Sequence, residues 1–91
     1  MTTKAFKELL NRFAECSAKG DEIEIQGDRK VTILASLGNE SLVVAGVKRV
    51  ELHDEMIIAT TGKDDVFALL HEDVRALRFG KEQTKRTGLV G

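Results

Sequence analysis

Proline, tryptophan and tyrosine are absent from this 91-residue chain, and cysteine occurs once, at Cys16. Without proline, the turns fall to the eight glycines and their polar neighbours. A single cysteine excludes an internal disulfide, and Cys16 reads as a small packing residue on a helix, not as a nucleophile. The four aromatic residues are all phenylalanine, which leaves little for base stacking. No apolar run approaches the roughly 18 residues that a membrane-spanning helix requires, and no cleavable signal opens the chain. A cytoplasmic protein with no membrane partner is expected. The net charge of −1 gives no global attraction to nucleic acid. Neither GxGxxG nor GxxxxGK[ST] occurs, and the pairs Gly62-Lys63 and Gly80-Lys81 lack the context of a phosphate loop.

What is present is enough for one core. With 42% hydrophobic residues, a chain of this length buries roughly 60–65% of its unfolded surface without help from metals or disulfides. Residues 3–19 (TKAFKELLNRFAECSAK) place Phe6, Leu9, Leu10, Phe13 and Ala14 on one helical face. Thr2 or Thr3 can cap the start, and Gly20 follows as a stop. Beyond Gly20 the period falls to two. EIEI at 22–25 alternates, and KVTILASL at 30–37, SLVVAG at 41–46, KRVELH at 48–53 and MIIATT at 56–61 follow, separated by polar or glycine turns. A weak internal echo runs through them. LGNESLVVAGVK (37–48) and LHDEMIIATTGK (52–63) share Leu, Glu and Lys in register, as two hairpins built by the same rules.

Residues 64–79, in the stretch DDVFALLHEDVRALRFG that ends at Gly80, admit two readings. A helix would run from an Asp64 cap along Phe67, Leu70, Val74 and Leu77 to Gly80, giving a helix–sheet–helix α+β domain. Strand–turn–strand would set VFALL, a His71-Glu72-Asp73 turn and VRALRF in succession. The second is preferred. The expected fold is therefore mainly β (α+β): an N-terminal amphipathic helix packed on a strongly curled antiparallel sheet or small barrel of five to seven strands. Residues 1–80 form the single domain, with strands between 21 and 79. From Arg75 onward five bases stand against Glu82 alone, so 81–91 reads as a flexible basic C-terminal tail.

From about Ser41 to Phe79 this layout resembles the Sm-like and SH3-like small β-barrels. The resemblance rests on the helix followed by bent strands and on VFALL–HED–VRALRF, a penultimate strand passing through one tight turn into the last. It implies a barrel that closes into rings through its edge strands, and RNA binding. Sm proteins end the fourth strand with an Arg-Gly-Asp-type turn that holds a uridine base. Aligned on Val74, those positions carry Leu70 and His71, so the RNA-reading residues are not matched.

The only two histidines sit in turns beside carboxylates, LHDE at 52–55 and LLHED at 69–73. In a meander the turns at 38–40, 53–55 and 71–73 fall at one end. His53, Asp54, His71 and Asp73 are thus the weak candidates for a metal site, imidazole and carboxylate being suitable ligands. Hairpin turns two strand spacings apart lie roughly 10 Å from one another, too far for one coordination shell. Solvated polar turns are the preferred reading, with no metal and no cofactor. No nucleophile–base pair and no buried carboxylate pair is evident, so an enzyme is not expected.

LVVA, MIIA and VFALL are apolar on both faces, and such strands need two partners. The helix stripe or a second subunit supplies the other. The expected function is a non-enzymatic small interaction module, self-associating as a homo-oligomer and binding a protein partner. Its interface candidates are Phe6, Leu9, Leu10, Phe13, Ile57, Phe67 and Leu69. The alternative is nucleic-acid (RNA) binding, with Arg75, Arg78, Phe79 and Lys81 as the only aromatic-in-basic neighbourhood.

Overall fold

The computed structural model describes residues 1–27 and 29–81, Lys81 by its backbone alone. The chain runs α1 (Thr3–Phe13), β1 (Glu15–Lys19), β2 (Glu22–Gln26), β3 (Arg29–Leu37), β4 (Glu40–Val44), β5 (Val47–Leu52), β6 (Met56–Thr61), β7 (Val66–Leu70), a 3-10 turn at His71–Asp73, and β8 (Val74–Lys81). It is mainly β with one N-terminal helix, as its patterning indicated. No helix among the described residues is long and apolar enough to cross a membrane. The expected tail at 81–91 lies outside the described residues, except that Lys81 closes the β3–β8 ladder opposite Arg29.

Two corrections concern the helix. It ends at Phe13 rather than Lys19, where Ala14 turns extended and its N–H donates to the Leu10 carbonyl. Residues 15–19 form β1 instead, with Cys16 opposite Ile25 and Ala18 opposite Ile23. Glu15, Ala18 and Lys19 favour helix weakly, but a ladder with β2 outweighs a few tenths of a kcal/mol per residue. Gly20, at φ +59°, serves the tight β1–β2 turn between Lys19 and Glu22. The helix start is as read: the Thr2 hydroxyl accepts from the Ala5 N–H at 3.1 Å.

The strands number eight, not five to seven, and they do not close into a barrel. One sheet has the order β1-β2-β5-β6-β7 and the other β4-β3-β8, with every pairing antiparallel. The chain passes between sheets three times, after β2, after β4 and through the 3-10 turn. Residues 64–79 are strands; β8 leaves β7 to pair with β3, which gives β3 a neighbour on both sides.

Between the sheets lies one core. Phe6 and Leu10 enter it from α1, Val31, Ile33 and Ala35 from β3, Val50 from β5, and Ile57 and Ala59 from β6. The residues i and i+2 on a strand share a face, so the alternation of β3 and β6 decides which side is sealed. Leu9 is half-buried, while Phe13 is 49% exposed.

Candidate functional site

Three places on the surface combine unusual chemistry with a defined geometry: the histidine end, the outer face of β6 and β7, and a cleft beside the β4–β5 crossing.

At the histidine end the two turns touch. The β6–β7 ladder runs to the Met56–Leu70 pair, and the His71 N–H then donates to the Glu55 carbonyl at 3.1 Å. The His71 ring Nε2 is also hydrogen-bonded to the Asp54 carbonyl. The expected separation of roughly 10 Å is thus corrected, because one continuous ladder carries both turns. The Met1 ammonium donates to the carbonyls of His71 and Val74, and the Thr3 hydroxyl to that of His53. The start of the chain is thereby tied to both turns. Proximity does not produce a ligand set. His53 Nε2 faces the Glu51 carboxylate at 3.3 Å, and the His71 ring is occupied by backbone. Among the described residues no group of three or more His, Cys, Asp or Glu is placed to hold a metal.

The second place follows from register. β6 and β7 pair Met56 with Leu70, Ile58 with Ala68 and Thr60 with Val66. By the two-residue period these six side chains share the face turned away from the core. Val66 is 63% exposed, Leu70 45% and Met56 40%. The intervening pairs, Ile57 with Leu69 and Ala59 with Phe67, face inward. Of the seven interface candidates read from the sequence, Phe6, Leu10, Ile57 and Leu69 are therefore buried in the chain's own core. Leu9 and Phe67 are half-buried, and Phe13 is exposed. The outward set was hidden in the sequence because both faces of MIIA and VFALL are apolar. Only the pairing register tells them apart. β7 is also an edge strand of its sheet.

The third place is a cleft of about 580 Å³ where β4 hands over to β5. The cationic residues along it are Arg29, Lys30, Lys48 and Lys63, against one acidic residue, Asp65, among the described residues. Valines 31, 43, 44 and 47 and Phe67 line it as well. One wall is braced by hydrogen bonds. The buried Thr61 hydroxyl accepts from the N–H groups of Lys63 and Asp65 at 3.3 and 3.2 Å. The Thr61 N–H donates to the Asp65 carbonyl, and Gly62 N–H to the Gly46 carbonyl at 3.0 Å. Across Gly62 lies the stem of Lys48, 3.5 Å from where a Cβ would stand. Of these residues, sequence reading singles out only Phe67, as an interface candidate, and the Gly62-Lys63 pair, which lacks the context of a phosphate loop. The available signal was the internal echo, whose two copies end on Lys48 and Lys63.

Gly46 gives this wall a clean test. Its φ is +69°, and a Cβ there would meet nothing within 4 Å. Gly46→Ala should therefore cost about 1–2 kcal/mol through backbone strain alone. Gly80 also has open space but no positive φ, so Gly80→Ala in β8 should be neutral or stabilising. Urea midpoints for the pair check this, and equal losses at both positions would refute the strain account.

The remaining candidates are occupied or isolated. Phe79 packs on Phe13, with ring centroids 5.4 Å apart and planes at 30°, while Arg75 and Arg78 are exposed on β8. Lys81 ends that strand. Cys16 lies on β1, not on a helix; its thiol donates to the Leu10 carbonyl at 3.4 Å, and burial pushes its pKa up. A raised pKa lowers thiolate content and hence reactivity. No protein-family model matches the chain, and neither a curated protein nor a solved structure does.

Proposed function

We propose that this chain is a non-enzymatic interaction module that self-associates through the outer face of β6 and β7 and presents the assembled surface to a protein partner. The supporting observation is the register that puts Met56, Ile58, Val66, Ala68 and Leu70 together on one outward face. Contiguous exposed apolar side chains mark interaction surfaces. An edge strand adds unpaired backbone groups to which a second strand can pair. A second copy of the chain supplies both a matching apolar face and a matching edge. The bent passage from β4 to β5 and the 3-10 turn before the last strand keep the Sm-like or SH3-like layout as part of this proposal, in an opened, two-sheet form.

Light scattering on a sizing column tests the proposal. The wild type should elute at a multiple of 10.0 kDa, unchanged in high salt and in EDTA. Val66→Glu with Leu70→Glu should shift it to a folded monomer, since both positions are exposed and the core is untouched. A wild type that stays monomeric on concentration overturns the reading. A mass that falls in EDTA would transfer the joint to the histidine turns.

A further inference from the structure

The cleft beside the β4–β5 crossing is not used by the self-association surface and stands on separate observations. We infer that it binds a nucleotide unit, a phosphate joined to a planar base. Charge is the first argument. The whole chain carries −1, yet Arg29, Lys30, Lys48 and Lys63 all border this one cleft, with Asp65 the lining carboxylate among the described residues. Cations gathered about a concave site focus an anion there. The composition of the walls is the second. An inorganic anion has no use for the exposed Val43 and the half-buried Phe67, whereas a base stacks on an aromatic side chain while its phosphate pairs with the rim. Size is the third, because about 580 Å³ lies within the range of roughly 300–1,000 Å³ typical of small-ligand sites.

Two features make the site preformed. The Thr61 hydroxyl ties the backbone of Lys63 and Asp65, so the loop bearing one cation and the carboxylate does not have to order on binding. The Gly62–Gly46 hydrogen bond fixes that loop against the β4–β5 crossing, and the Lys48 stem lies along Gly62. Phosphate falls to the four cations, and Asp65 offers an acceptor to a base N–H or a ribose hydroxyl. The same chemistry occurs in a free nucleotide and in a unit of a single strand.

Fluorescence anisotropy with labelled oligouridylate and oligothymidylate, competed by free uridine or adenosine monophosphate, separates these sources. Binding of the oligonucleotide should weaken about 20-fold between about 50 and 200 mM salt if roughly three phosphates are engaged. Lys48→Glu with Lys63→Glu should abolish it, and Phe67→Leu should weaken it about 5-fold or more. Arg75→Gln with Arg78→Gln, outside the cleft, should leave it unchanged. Circular dichroism melts of each variant confirm that the fold persists. Competition by free monophosphate at equal site concentration identifies a small-molecule site, and weak competition a strand-binding one; either upholds the inference. It is overturned if neither probe binds at about 50 mM salt, or if binding survives the lysine reversals and is lost with the arginines of β8.

Discussion

Replacing Phe6 by alanine should remove about 3–5 kcal/mol from the unfolding free energy. Phe6 is fully buried and, with Leu10, is how α1 enters the core between the two sheets. A domain of this size holds only about 5–15 kcal/mol in total, so the variant stands near the limit of folding. The substitution removes an aromatic ring from a site walled by other elements, and α1 cannot slide inward to refill it. Its first turn is anchored by the Thr2 cap and by the hydrogen bonds of Met1 and Thr3 at the histidine end. Phe13→Ala, on the same helix but half exposed, should cost about 1 kcal/mol, mostly its ring contact with Phe79. With no tryptophan or tyrosine in the chain, urea unfolding must be followed by far-ultraviolet circular dichroism. Equal losses at both positions would mean that α1 does not pack through the Phe6 face.

Ile33→Ala should be the second most damaging change, at about 2–5 kcal/mol. Ile33 is fully buried in β3, paired with Val44 on one side and Leu77 on the other. β3 is the middle strand of its sheet, and it has strands on both flanks and the opposite sheet beneath. Collapse into the vacated volume would have to move three strands together. Val43 offers the contrast within the same sheet. It pairs with Leu34 on the outward side and is 57% exposed, so Val43→Ala should fall within about 0.5 kcal/mol of wild type. A small loss at Ile33 would show that the two sheets are not packed on one another.

The elements that could be read in advance are those whose signal is local. The Phe6–Leu10 stripe and the glycine turns follow from spacing or turn chemistry, whereas the turn at His71–Asp73 is one of two readings that local spacing leaves open. Residues 14–19 could not be assigned so, because their propensity favours helix and only pairing with β2 makes them a strand. Closure into a barrel was likewise not a local property. It depends on whether the edge strands of one sheet meet those of the other, and they do not. The candidate surfaces were obscured for a related reason. MIIA and VFALL carry apolar side chains at every position, so Ile57, Phe67 and Leu69 looked as available as Met56, Val66 and Leu70. Which set faces outward is fixed by partners elsewhere in the chain. The cleft shows the same limitation: Arg29 and Lys63 are 34 positions apart in sequence and come to border one cleft only through the crossing between sheets.

The pairing of β3 with β8 has a temporal consequence. Val31 finds its partner Phe79 only after all the intervening strands have been made. As the chain emerges residue by residue, β2, β5, β6 and β7 can assemble while β3 still has β4 alone beside it. Until β8 arrives, one flank of β3 is an open template for any other extended chain. Distant pairings of this kind slow folding to the millisecond-to-second range. The period of greatest exposure to misassembly is therefore the last step of folding, and residues 74–81 are the segment that ends it.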